Sequence, residues 1–209
     1  MHFMHNIIFV SFFQVKKKVS LNQLKIMSHC EKVDGMQIPD KETEGYVFNH
    51  MMLRIKDPLK SLDFYSKIMG MRMVKKIDFP SMKFSLYFLG NLTDDEVKTA
   101  PQDSYERTVW AFRQKGLLEL THNWGSENDD SVKFHDGNSE PKGFGHLCFS
   151  VPDIYDACKR FETYKIEFIK KPDDGSMKPL AFVKDPDGYW IEIIEAKATA
   201  NIAKEIGKI

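Results

Sequence analysis

Two stretches of this chain carry the same rhythm. Residues 50–55, HMMLRI, alternate toward their end between apolar and polar side chains, with the period of two that a half-buried strand requires. Asp57 follows, an aspartate placed to cap. Residues 58–69 then bring apolar side chains back every three or four positions, which predicts an amphipathic helix of about three turns. After Gly145 the order returns as HLCFSV, Asp153 and the helical run IYDACKRFETY. With one constant offset, His50 falls on His146, Leu53 on Phe149, Ile55 on Val151, Asp57 on Asp153, Tyr65 on Phe161 and Lys75 on Lys171.

Short β-type runs follow each helix. In the first copy they are predicted over 71–77, 83–89, 108–113 and 116–121, and in the second over 167–171, 180–184 and 189–194. Strands around a single helix, given twice, indicate α+β modules rather than one continuous parallel sheet. The expected organisation is an N-terminal extension (1–40), a first module (41–124), a polar and glycine-bearing linker (125–142), a second module (143–195) and a C-terminal tail (196–209). In the extension, IIFVSFF is too short to span a bilayer, and Lys16, Lys17 and Lys18 follow the apolar run instead of preceding it as in a secretory signal. Translation from Met27 would remove that run, and an intact Met1 in the mature protein would refute this start.

Each module opens with a strand bearing histidine and closes with one bearing glutamate between apolar residues, LEL at Glu119 and IEI at Glu192. Strand parity puts His50 on a face with Met52 and Arg54, Glu119 with Thr121 and Asn123, His146 with Cys148 and Ser150, and Glu192 with Trp190. A strand histidine alone is ordinarily core, and a strand glutamate alone ordinarily faces water. Two of each in equivalent places of a duplicated module could instead converge on one ion by pseudo-twofold symmetry. Imidazole and carboxylate suit zinc, nickel, cobalt or iron(II). His122 points to the other face and reads as structural, and Cys148, on the His146 face, could approach the ion but reads first as a small buried hydrophobe.

Composition narrows the alternatives. The 209 residues hold 30 Lys and Arg against 30 Asp and Glu, dispersed along the chain, so nothing points to nucleic acid or an anionic membrane. Three cysteines without CxxC spacing fit reduced thiols in a cytoplasmic setting. GxSxG, Walker and GxGxxG elements are absent.

HMMLRIKDPLKSLDFYSKIMGM, DFPSMKFSLYFLG, LELTHNWG, KGFGHLCFSVPD, KKPDDG and DPDGYWIEI together closely resemble the glyoxalase I family, the lactoylglutathione lyases of the vicinal-oxygen-chelate group, in order from Asn49 to Ile194. The resemblance implies paired βαβββ modules in a cupped eight-stranded mixed sheet, and a homodimer with active sites at the subunit interface. It implies His50 and Glu119 from one subunit and His146 and Glu192 from the other as metal ligands, with two waters and zinc or nickel as the usual ion. The reaction implied is isomerisation of the methylglyoxal–glutathione hemithioacetal to S-D-lactoylglutathione by enediolate proton transfer, a route of methylglyoxal detoxification. The family assigns the base chiefly to the position of Glu192, with Glu119 able to do equivalent work on the other face. Glutathione would be held by Arg54, Asn123, Lys142 and Lys170, with Met177 alongside. An apolar pocket would draw on Phe79, Phe84, Leu86, Phe88, Phe112, Leu180 and Phe182, with Trp190 beside Glu192.

The pattern departs from the family in places. His50 stands where animal zinc-dependent members have Gln, which loosens metal choice; the long linker and extension favour zinc over nickel. Lys142 occupies a frequent Arg position, and an ammonium cannot make the bidentate carboxylate pair of a guanidinium. Ser176 and Pro179 break the common KMKG pattern of the loop over the substrate. An iron(II) extradiol dioxygenase would use two histidines and one carboxylate, so four intact ligands argue against it. A binding module that had kept only the fold would have lost a ligand.

Overall fold

In a computed structural model of the chain, Cys30, Glu31 and residues 33–207 are described; the apolar run at 7–13 and the alternative start lie outside them. Residues from Val47 onward form one compact unit, and those up to Tyr46 another, whose described part carries a 3-10 turn at Lys41–Thr43.

Both βαβββ modules lie in the larger unit. The first has β1 (His50–Ile55), α1 (Pro58–Asp63, continuing as a π-helical turn over Phe64–Ile68), β2 (Arg72–Phe79), β3 (Phe84–Gly90), α2 (Asp94–Thr99), α3 (Ser104–Arg113) and β4 (Leu117–Asn123). The second has β5 (Leu147–Ser150), α4 (Ile154–Thr163), β6 (Phe168–Lys170), β7 (Ala181–Lys184) and β8 (Trp190–Ile194), and α5 (Ala196–Ile206) opens the expected tail. The eight strands divide into two four-stranded mixed sheets, ordered β1-β4-β3-β2 and β5-β8-β7-β6. In each, the first strand runs parallel to the last and the remaining neighbours are antiparallel. This α+β pairing is the fold class expected from the repeat.

One expected element is corrected. Residues 108–113 are not a strand but the second half of α3. Their run of Thr, Val, Trp and Phe has strand-like composition, yet the Asp103 carboxylate accepts from the N–H groups of Tyr105 and Glu106 and starts a helix four residues earlier. Packing holds it there: Ala111 is fully buried with Val74, Phe88 and Leu117. Tertiary burial overrides local propensity here.

Helices α1 and α4 pack on one face of the sheets, and the opposite face carries the candidate site residues. On β1, Leu53 and Ile55 are buried against the helices, while His50, Met52 and Arg54 are half-buried or exposed opposite. One apolar core runs through both modules, joining Leu53, Ile55 and Tyr65 to Ile154, Phe161 and Ile191. Arg160 of α4 donates to the carbonyls of Lys67 (2.6 Å) and Ile68 (2.8 Å), closing the end of the first module's helix. The turn between β7 and β8 adds a polar clasp. Asp185 accepts from the Tyr65 hydroxyl, and Asp187 accepts from the Lys56 N–H and the Ser61 hydroxyl, at 2.8, 2.8 and 3.0 Å. Within the linker, Gly137 (φ +83°) has a Phe144 carbonyl oxygen 1.9 Å from where a Cβ would stand, so this close turn requires glycine.

Candidate metal centre

Parallel pairing of β1 with β4 sets Met52 opposite Glu119, so His50, one step back on the same face, reaches the carboxylate. His50 Nε2 stands 2.9 Å from Glu119 Oε2. The other ring nitrogen is held by a residue the sequence reading passed over. Asn49 Nδ2 donates to the carbonyls of Ala111 (3.0 Å) and Gln114 (2.8 Å), which turns its Oδ1 toward His50 Nδ1 at 2.7 Å. The amide orientation makes Nδ1 the donor. Thr121 completes the pair by donating to Glu119 Oε1 at 2.9 Å, and Glu119 is only 8% exposed. Below them Phe88 meets His50 edge-on at 5.4 Å and Phe112 edge-on at 5.4 Å.

The second module builds the same motif with other surroundings. His146, one residue before β5, places Nε2 3.2 Å from Glu192 Oε2. Phe182 lies opposite Glu192 and edge-on to His146 at 5.3 Å, the counterpart of Phe88. Cys148 pairs with Glu192 across β5 and β8. Partial burial first, then the neighbouring Glu192 carboxylate, pushes the thiol up to about 12. Cys148 is thus not the buried hydrophobe expected. Leu147 and Phe149 take the helix side of β5, and Cys148 lies exposed on the site face. Trp190 Nε1 donates to Asp136 of the linker at 3.1 Å, and its ring tilts against Phe182 at 5.6 Å.

These residues fit a metal ion. With Nδ1 of His50 donating, Nε2 presents a lone pair to a carboxylate oxygen at 2.9 Å, and two acceptors so placed need a cation or proton between them. A ligating histidine whose other nitrogen is fixed by a carbonyl oxygen is the usual arrangement of metal sites. Each pair could supply two ligands. Among the described residues no three His, Cys, Asp or Glu side chains gather around one point, so the pairs stand apart within a chain.

The other named residues separate by position. Arg54 lies opposite Thr121, Leu86 opposite Thr121, and Phe84 opposite Asn123, which sets Arg54, Asn123, Phe84, Leu86 and Phe88 on the Glu119 face. Phe79 stacks on Phe84 at 4.6 Å. Lys142 is exposed, 3.9 Å from Glu140. The Lys170 ammonium does not stand free at a rim: it donates to the carbonyls of Lys171, Met177 and Leu180 and ties the loop carrying exposed Met177 to β6. Burial holds its pKa below the usual lysine value. Leu180 is buried at the start of β7. His122 is buried on the opposite face of β4, 2.8 Å from Glu127, as a structural residue. No helix among the described residues is long and apolar enough to cross a membrane.

Comparison with known proteins meets this geometry from outside. A sequence model of the glyoxalase/bleomycin resistance protein/dioxygenase superfamily matches residues 47–193. A lactoylglutathione lyase of Pseudomonas aeruginosa is 52% identical over 166 residues, covering 79% of this chain and 92% of that one. A glyoxalase I of Saccharomyces cerevisiae is 43% identical over 77% of this chain and 46% of its own length. Among solved structures, the trypanothione-dependent glyoxalase I of Leishmania major superposes with a TM-score of 0.54 at 26% identity, covering 76% of this chain and 93% of that one.

Proposed function

The chain belongs to the glyoxalase/bleomycin resistance protein/dioxygenase superfamily, and we propose that it is a lactoylglutathione lyase that isomerises the hemithioacetal of methylglyoxal and glutathione to S-D-lactoylglutathione. The observation that carries this reading is the duplicated pair, His50–Glu119 and His146–Glu192, with Nε2 to Oε2 separations of 2.9 and 3.2 Å at equivalent places of two modules. We place the first module within 41–124, its strands and α-helices all from His50 onward, and the second over 143–195, with a linker at 125–142.

The ion would be held by all four residues. Two ligands at each pair call for a second pair, and a homodimer that sets His50 and Glu119 of one subunit against His146 and Glu192 of the other supplies it. Zinc suits this N₂O₂ set, ahead of nickel or cobalt. Bound there, it would supply Lewis-acid stabilisation of the negative charge that develops when a proton leaves a carbon beside a carbonyl. The chain's own residues do the rest. Glu192 takes the proton from one carbon and returns it to the next, as a general base and then a general acid. Arg54 and Asn123 hold glutathione carboxylate and amide groups from the same sheet face, Lys142 adds charge at the rim, and Phe88, Phe112 and Phe182 enclose the methyl end. Three cysteines, none in a disulfide, accord with a cytoplasmic enzyme.

The test starts from protein stripped of metal and given methylglyoxal and glutathione. Thioester formation, followed in the ultraviolet, should be absent until zinc, nickel or cobalt is added and should require the thiol. Product formed equally fast without metal would refute the proposal.

A further inference from the structure

The two pairs share their ligand atoms and differ in what grips them. Around the first, each accessory polar group is tied. Asn49 spends its amide on two carbonyls and its oxygen on His50, and Thr121 occupies Oε1 of Glu119. To swing away, Glu119 must break a hydroxyl bond inside a site where both it and Thr121 are 8% exposed. In the second module the offset of the repeat puts Gly145 where Asn49 stands, and Ile194 is two residues beyond Glu192 where Thr121 is two beyond Glu119. Neither can hydrogen-bond through a side chain. Opposite Glu192, at the place of Met52, stands Cys148, whose thiol is at best a weak donor.

We propose that Asn49 and Thr121 are positioning residues that pin His50 and Glu119 as the anchoring half of the metal site, so that proton transfer falls to the loosely held Glu192. The inference rests on the lactoylglutathione lyase reading. Its step balances internally: a C–H bond breaks as an O–H bond forms on Glu192, that proton is returned to the neighbouring carbon, and the hydroxyl proton passes from the first oxygen to the former carbonyl oxygen, with no external oxidant. Two chemically identical carboxylates in mirrored positions thus take different work because only one has a hydroxyl across its free oxygen.

The decisive variant is Thr121→Val in a Glu192→Gln background. Loosening Glu119 should let it act as the base, raising the residual turnover of Glu192→Gln by about tenfold, a gain of the size that metal-ligand support residues control. A damaged fold cannot produce a gain. Thr121→Ser, which keeps the hydroxyl, should leave the Glu192→Gln rate where it was. Zinc affinity, read by competition with a chromophoric chelator, should fall about tenfold in Thr121→Val and in Asn49→Ala, each with Glu192 intact. A double variant no faster than Glu192→Gln, or zinc affinity unchanged in Thr121→Val, overturns the proposal. Full turnover in Glu192→Gln alone would instead strike the underlying assignment of the base.

Discussion

Glu119 and Glu192 sit at equivalent places of equivalent sheets, and their surroundings diverge. In the first module a long insertion between β3 and β4 folds as α2 and α3, and α3 lies over the site face with Ala111 against Phe88 and Leu117. Every β4 residue from Leu117 to His122 is buried, polar ones included. In the second module only the turn 185–189 joins β7 to β8, and β8 keeps an alternation of buried and half-buried positions. The Glu119 side chain is 11% exposed and that of Glu192 18%; the histidines are 34% and 39%. A duplicated scaffold thus yields one hydroxyl-braced half and one somewhat more exposed half whose carboxylate lies opposite a thiol. On the proposed reading, what surrounds a carboxylate, and not the strand that bears it, would separate ligand from base.

The largest effect should fall where that comparison is sharpest. Glu192→Gln should lower turnover about 10³-fold while zinc affinity changes far less, because a proton acceptor is lost and an oxygen ligand is kept. Glu119→Gln should show the reverse balance. Kinetics and metal titration of the two purified variants check this. Parallel, total loss of turnover and zinc in both would make the halves equivalent and Glu192 merely a ligand.

Burial gives a second contrast. Phe88 is 1% exposed and packs between His50 and Phe112, whereas Phe182 is half-buried. Phe88→Ala should cost about 3–5 kcal/mol in denaturant unfolding of the metal-free protein, and Phe182→Ala about half of that. Equal losses would mean that the second site face is as well covered as the first.

Most of this arrangement was legible in the sequence, for a physical reason. Strand parity and a constant repeat offset are local and periodic, so they set His50 with Met52 and Arg54, and Glu119 with Thr121, on single faces. They also placed His122 on the other side of β4. Tertiary facts left no such trace. Residues 108–113 have strand composition, and only the cap at Asp103 and burial of Ala111 show a helix. Asn49 is identifiable as support for His50 only once α3 brings the Ala111 and Gln114 carbonyls to it. Cys148 looked like core because small sulfur residues usually are, and it is exposed on the site face of β5.

The clasp at Asp185 joins the halves being compared, and it carries a pH signature. Burial raises the Asp185 carboxyl to about 6, against the lowering effect of the Tyr65 hydrogen bond, with Asp187 beside it raised also. A folded-state value above the unfolded one means that the native protein binds the proton more readily between about pH 4 and 6. This group therefore adds stability as pH falls through that window and withdraws it as pH rises, by about 2–3 kcal/mol. Unfolding free energies of the wild type and Asp185→Asn across pH 4–7 isolate the term by difference. Asparagine can still accept from the backbone N–H groups of Asp187 and Tyr189. A difference independent of pH would show that the two modules meet without a titrating group.

The smallest effect separates the two rim lysines. Lys170 is built into the fold, with its ammonium shared among three carbonyls of the loop at 171–180, so removing it disturbs that loop whatever it does for substrate. Lys142 makes no comparable commitment. Its ion pair with Glu140 spans 3.9 Å between side chains 72% and 82% exposed, a separation and exposure at which such pairs contribute little. Lys142→Ala should leave turnover and stability unchanged and raise KM for the hemithioacetal about threefold, the size of one solvent-screened contact to a glutathione carboxylate. Lys142→Arg should move KM the other way, because a planar guanidinium can engage both carboxylate oxygens where an ammonium meets them as a point charge. Steady-state kinetics on the three proteins decide the matter, and a KM that ignores both changes would leave Lys142 an ordinary solvated charge and place the recognition of glutathione on Arg54 and Asn123, inside the first, enclosed half.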